Sequence, residues 1–295
     1  MTEKLIYGAD FSGAKTVPND TWLASGRLSF LNLEMVEVKK VGSHALSAEM
    51  IKHTPTAIGI DCPFSLPVDF LNFMARSKQK PLYQSFQEVA EELIFMPFDD
   101  FLELAKEFKR EPKRFTDNFK GSLAISPLHR GNPSMIQMTY QGIRLIAALP
   151  PDRFYTVPFQ SEIPDGCAVL EVYPRDVIRY FQLKETGYKS KDKASESQAT
   201  SARHEIIQSI MDIKSTRALT YKDVPKLIMN KTMYTTVVNN DHALDAVLAC
   251  YNTAMWQHSK EFSRDYSTKL FVDPLDLDNM DVLLEGWIYR PSPVA

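Results

Sequence analysis

The sequence predicts an α/β protein built on one mixed sheet, an antiparallel meander followed by parallel strands, with helices on both faces and a helical insertion. Three observations lead there. Apolar runs at 4–10, 20–30 and 32–41 follow one another across short connections, as in a meander. Two later apolar runs, 56–61 and 167–174, are each closed by proline and followed by helical spacing. Between them, residues 68–150 carry the three-to-four-residue apolar period of helices.

Taken in order, Leu5, Ile6 and Tyr7 open a short buried strand that runs into "GADFSGAK", 8–15. "SGRL" at Ser25–Leu28 is a turn signal, and "LEMVEVKKV" alternates imperfectly, as a half-exposed strand does. "SHALSAEMIKH" is helical, with Ser43 as the expected N-cap. "TAIGID" is a fourth strand, ended by "CPFSLP". "SFQEVAEELIFM", "FDDFLELAKEFKRE" and roughly 135–149 are helices of the insertion, with a Pro/Gly loop at 121–134. "CAVLEVYP" is the fifth strand and "DVIRYFQL" a helix. "KSKDKASESQATS", 189–201, reads as an exposed or poorly ordered loop, before helices near 201–214 and at 241–257. There is no internal repeat, so the expectation is one domain over 1–295 with 68–150 inserted. This order of elements is that of the ribonuclease H-like fold.

Composition narrows the function. A formal net charge of −3 does not suit a dedicated sequence-specific DNA binder, so any nucleic-acid contact is a local patch. Cys62, Cys167 and Cys250 are odd in number, far apart and set in apolar runs, which predicts buried free thiols in a reducing compartment. With neither a signal-peptide layout nor a membrane-length apolar stretch, the expectation is a cytoplasmic protein with no membrane partner.

The chemistry lies in the acids. Asp10 and Asp61 end strands, Glu171 sits near the end of another, and Asp241 and Asp245 open the last long helix, where α/β sheets build sites. Each has an ordinary explanation. Asp10 and Asp61 could cap turns, and Asp241 suits a helix start. Glu171 is harder to dismiss, since it interrupts an apolar run and a buried unpaired carboxylate is costly. Asp245 lies one turn beyond Asp241 on the same face, so the two repel and call for a positive partner. Jointly these acids would raise each other's pKa, and a hard divalent cation, Mg²⁺ or Mn²⁺, resolves the repulsion and serves phosphodiester hydrolysis.

The ordered islands GADFSGAK, GIDCPFSLP, KRFTD, LEVYPR, DHALDAVLA and EGWIYRP span nearly the whole chain. Together the set resembles the predicted ribonuclease H-like nucleases catalogued as domain of unknown function 429. DHALDA also resembles the DxxDA segment of Holliday-junction resolvases. The resemblance implies a metal-dependent nuclease acting on DNA or RNA. It implies Asp10 as the first-strand metal acid, Asp61 or Glu171 as the central acid, and Asp241 and Asp245 as the helix acids. The resolvase acids are three apart and these are four apart, so one of the pair is the direct ligand; the expected metal set is Asp10, Asp61 and Asp245.

Ser12 and Gly13 are expected to leave room for a phosphodiester, and Lys15, Arg114 and Arg175 to contact substrate. "KEFKREPKR", 106–114, is basic but ordinary as a solvated helix end; Arg114 stands above it because it belongs to KRFTD. His129 and Arg130 read as loop residues. "DFSG" is similar to a kinase metal motif, yet no glycine-rich loop or HRD segment accompanies it. Two rival readings stand beside the nuclease. One is a nucleotide-binding relative of the actin-like ATPases using DFSGAK and Lys15. The other is a non-catalytic interaction module with a residual acid cluster.

Overall fold

In a computed structural model, residues 3–14, 19–131, 133–190, 194–213, 224–262 and 270–292 are described. Strands β1 (Lys4–Asp10), β2 (Trp22–Ser29) and β3 (Asn32–Lys40) form the antiparallel meander. Helix α1 (Ser43–His53) follows, then β4 (Ala57–Asp61), parallel to β1. The α1 cap differs from expectation. Gly42, at φ 74°, takes the cap position, and Ser43 is the first helical residue. Asn19 accounts for the shift: its Oδ1 accepts the Ser43 N–H at 2.9 Å, so the cap comes from a distant loop.

Helices α2 (Val68–Ser77), α3 (Phe86–Phe95), α4 (Phe98–Phe108), α5 (Phe115–Asn118) and α6 (Pro133–Ala147) fill the stretch after β4. β5 (Phe154–Thr156) and β6 (Cys167–Glu171) return the chain to the sheet as parallel strands. Then come α7 (Pro174–Tyr180), α8 (Glu196–Met211), β7 (Lys226–Ile228), α9 (Lys231–Asn239), α10 (Asp241–Phe262) and α11 (Val282–Glu285). Among the described residues the sheet order is β5-β6-β4-β1-β2-β3-β7. Part of the stretch read as an exposed loop is helical: α8 begins at Glu196, with Ala199 buried and Arg203 paired to Glu196, while 191–193 lie outside the described residues.

The two sheet faces have separate apolar clusters. On one, Tyr7, Ala9, Ile58, Ile60 and Val169 pack with Phe70, Val89, Phe101 and Ile143 of α2, α3, α4 and α6. On the other, Ile6, Ala24, Ala57 and Leu170 pack with α8 and α10. Alternation along each strand makes this split. The helices between β4 and β5 therefore share a core with the sheet. Cys62, Cys167 and Cys250 are buried free thiols, as expected. Among the described residues no helix is long and apolar enough to cross a membrane.

α10 lies very close to the sheet because two glycines admit it. A Cβ on Gly8 would sit 1.9 Å from the Cys250 backbone nitrogen, and one on Gly59 would sit 2.2 Å from Thr253 Oγ1. This contact fixes which end of α10 meets which end of the strands: its start lies over the carboxyl ends of β1 and β4.

Candidate active site

Register builds the first part of the site. Asp10 and Asp61 are paired residues at the ends of the parallel strands β1 and β4. Paired residues in a parallel ladder point to the same face, and this is the face of Gly8 and Gly59, under α10. Asn240 starts that helix: its side-chain oxygen accepts the Ala243 N–H at 2.8 Å. One turn in, Asp245 is buried and close enough to Asp10 and Asp61 for their charges to act on one another. The N-terminal end of the helix dipole favours carboxylates there.

The three acids have different partners. Asp10 Oδ2 lies 2.7 Å from His242 Nδ1. Asp245 is held by the Lys189 ammonium at 2.6 Å and accepts from the Tyr188 hydroxyl at 3.1 Å. Burial, then the charges of Asp10 and Asp245, push the Asp61 carboxyl well above its usual range, with Lys189 opposing. Burial also raises Asp245, with Lys189 pulling it back and Asp10 adding to the rise. The hydrogen bond to Asp10 raises His242.

Glu171 is placed differently. It pairs in register with Ile60, not Asp61, so it faces the opposite side of the sheet. There it accepts from the Phe64 N–H at 2.9 Å and from both terminal nitrogens of Arg114 at 2.8 and 2.5 Å. Arg114 is 1% exposed and also gives two bonds to Asp117, at 2.9 and 3.1 Å. Glu285 joins them by accepting the Val68 and Phe115 N–H groups, both at 2.6 Å. Arg114, expected at a substrate, is thus spent on buried carboxylates; desolvation of this size is offset only by such full pairing. The islands KRFTD, LEVYPR and EGWIYRP meet in this one ionic cluster.

A cavity of about 350 Å³ is lined by Asp61, Asp245, Lys189, Arg175 and Tyr188, by Arg114, Asp117 and Glu171, and by the apolar Leu123, Ile125, Met135 and Met138; Asp10 is not in its lining. Arg175 is half-buried in this lining, where, against the cost of burial, Tyr173 and Tyr188 hold its guanidinium above its usual range. Asp241 is half-exposed at the start of α10 and is not in the lining, so of the two helix acids it is Asp245 that reaches the cavity. Ser12 is occupied in a turn, its N–H donating to Thr21 Oγ1 at 2.9 Å and its carbonyl accepting from Asn19. Lys15 lies outside the described residues.

Tyr188, Lys189, His242 and Glu285 belong to the site and were not singled out in the sequence reading, whereas Asp117 stood in KRFTD beside Arg114. His242, three residues before Asp245 and next to Asp241, was the one with a visible helical relation to the acids. Lys189 had none, since its partner Asp245 lies far along the chain, beyond α8, β7 and α9.

The donors are hard oxygens, which suits Mg²⁺ or Mn²⁺. Among the described residues no three His, Cys, Asp or Glu groups already form a coordination sphere. Lys189 contacts one carboxylate oxygen of Asp245, and His242 one of Asp10.

Fold and site define a class: α/β proteins whose parallel strands deliver carboxylates to a recessed cavity beneath the start of a long helix. Residues 35–262 match the family described as Protein of unknown function (DUF429), and the chain belongs to that family. No curated protein and no solved structure matches it.

Proposed function

We propose that this chain is a metal-dependent phosphodiesterase acting on nucleic acid, a nuclease on a ribonuclease H-like sheet. What carries the reading is the register pair Asp10–Asp61 at the ends of β1 and β4, with Asp245 near enough for the charges to act on one another. The meander followed by parallel strands, in the order found, supports the fold assignment. The cavity lining supports the metal. Among the described residues that line it, Asp61, Asp117, Glu171 and Asp245 stand with Arg114, Arg175 and Lys189, and a cation would relieve the repulsion that adds to burial in raising Asp61.

Asp10, Asp61 and Asp245 would hold Mg²⁺ or Mn²⁺, with His242 and Lys189 giving up their carboxylate contacts. When bound, the ion supplies the positive charge and the activation of water that phosphodiester hydrolysis requires. Lys189, released from Asp245, and Arg175 then bind the phosphate. Tyr188 keeps Asp245 oriented through its hydroxyl. The Arg114–Glu171–Asp117 cluster holds the ends of β4 and β6 together, which keeps the acids at fixed spacing.

The pairs Lys189–Asp245 and His242–Asp10 favour a second reading, the non-catalytic module, because they neutralise the acids from within the chain. Thermal melts with Mg²⁺, Mn²⁺ or EDTA, alongside cleavage of labelled DNA and RNA, separate the two. A melting temperature raised by metal, with cleavage lost in Asp61→Asn, supports the nuclease. A melting temperature indifferent to both metals, with no cleavage, supports the module.

A further inference from the structure

The cavity lining is of two kinds, and only the charged residues are used by the chemistry proposed above. Beside them, Leu123, Ile125, Met135 and Met138 give it an apolar part. Leu123 is 58% exposed and Ile125 40% exposed, at the mouth rather than in the core. Large apolar side chains left open beside a charged pocket point to a ligand with an apolar face. Methionines add an adaptable, polarisable surface of the kind that accepts flat groups of varied outline.

Charge and size restrict that ligand. A duplex binder offsets many backbone phosphates with Lys and Arg. This cavity offers Arg175 and Lys189 beyond the buried Arg114, within a net negative lining. Its affinity for a polyanion must therefore come largely from apolar contact. A volume of about 350 Å³ lies at the small end of ligand pockets and suits one monomer unit, not a double helix.

Resting on the nuclease reading, we infer that the cavity takes one unstacked nucleobase of a single strand. The base lies against Leu123, Ile125, Met135 and Met138, and its phosphate turns toward Arg175 and Lys189. The substrate is then a single-stranded segment or a frayed end, and paired strands enter only after a base leaves the stack, as in other enzymes that extract a nucleotide. Base contact of this kind tolerates sequence, since every base has an apolar face.

The test compares a short single-stranded oligonucleotide with its own duplex, as DNA and as RNA, by fluorescence anisotropy in Mg²⁺ and by cleavage kinetics. The single strand of at least one of the two polymers should bind at least about tenfold more tightly than its duplex. The double variant Leu123→Ser/Ile125→Ser should weaken that binding at least about fivefold and raise KM with kcat little changed, while Phe95→Ser, an exposed apolar residue away from the cavity, changes neither. Circular dichroism and a melt on the double variant confirm that it folds. An abasic substitution in the oligonucleotide should cost wild type the same factor and the double variant nothing further. Preferential binding and cleavage of duplex, or a double variant that binds single strands normally, overturns the base pocket and leaves the phosphodiesterase reading standing. Absence of binding to either polymer, with no melting shift in Mg²⁺, overturns both.

Discussion

Asp61 is the acid with most to lose in the absence of a cation. Asp10 has His242 and Asp245 has Lys189, whereas Asp61 is raised by burial and by both neighbouring carboxylates. Asp61→Asn should therefore stabilise the metal-free protein by about 1–2 kcal/mol, some 2–8 °C in melting temperature, while abolishing metal-dependent cleavage. Asp10→Asn should abolish cleavage as well but give a smaller gain in EDTA, because it also breaks the His242 contact. Melts of both variants in EDTA rank the two; an Asp61→Asn variant less stable than wild type would show that Asp61 is a structural turn residue. The acids themselves were legible, since carboxylates at strand ends and a helix start stand out in an apolar context. Their partners were not. Nothing in the sequence links Lys189 to Asp245 or Arg114 to Glu171, because a charged residue in a polar segment looks the same whether it is solvated or reaches back to the core.

Among elements, the seating of α10 on β1 and β4 controls the site. Gly8→Ala should cost at least about 1–3 kcal/mol, since the new methyl meets the backbone at Cys250 and the helix must shift. The same shift should carry Asp245 away from Asp10 and Asp61, so any Mg²⁺-induced rise in melting temperature should shrink more than the stability loss alone explains. In the cavity lining, Arg114→Met should cost about 3–5 kcal/mol because it strands two buried carboxylates, whereas Glu171→Gln, which keeps the Phe64 hydrogen bond, should cost less. Urea unfolding of the two variants measures the difference. The meander, β4, β6 and α10 were readable from apolar runs and proline stops, but the turn expected at Ser25–Leu28 lies inside β2, where Gly26 sits at a bulge and the chain turns only at Phe30–Leu31. β5 and β7 were missed because three residues cannot display a two-residue period. α9 was missed because "KTMYTTVVN" is rich in β-branched residues, and packing overrides its local preference.

For the molecule as a whole, the acid cluster should make stability depend on pH and, on the proposed reading, on metal as well. Asp61, Asp245 and His242 all have folded pKa values above their ordinary ones. A group raised in this way contributes stability that is present at low pH and lost as pH rises through its folded pKa. The metal-free protein should accordingly melt at a higher temperature near about pH 6 than near about pH 8. Added Mg²⁺ should narrow or reverse that difference, since protons and cation compete for the same oxygens. A metal-free melting temperature that rises with pH over this window would show that the cluster does not dominate the titration.

The ionic cluster in the cavity lining also has a consequence for how the molecule comes into being. Glu171 is bridged to Ile288, Tyr289 donates its N–H to the Glu171 carbonyl at 2.9 Å, and Arg114 donates to the Glu285 carbonyl at 3.2 Å. A ribosome translating this chain has made Asp10, Asp61 and Asp245 by the time it passes Asp245, yet the segment from Glu285 to Tyr289 is added only later. Because synthesis proceeds from the N-terminus and the newest stretch is still held in the exit tunnel, the carboxylates are complete in sequence well before they are held in place. A nascent or interrupted chain lacking Glu285–Tyr289 would carry the acids without their support. The support for the proposed site therefore arrives only after Glu285–Tyr289 have been made, so the acids exist in the chain for part of its synthesis without the contacts that hold them.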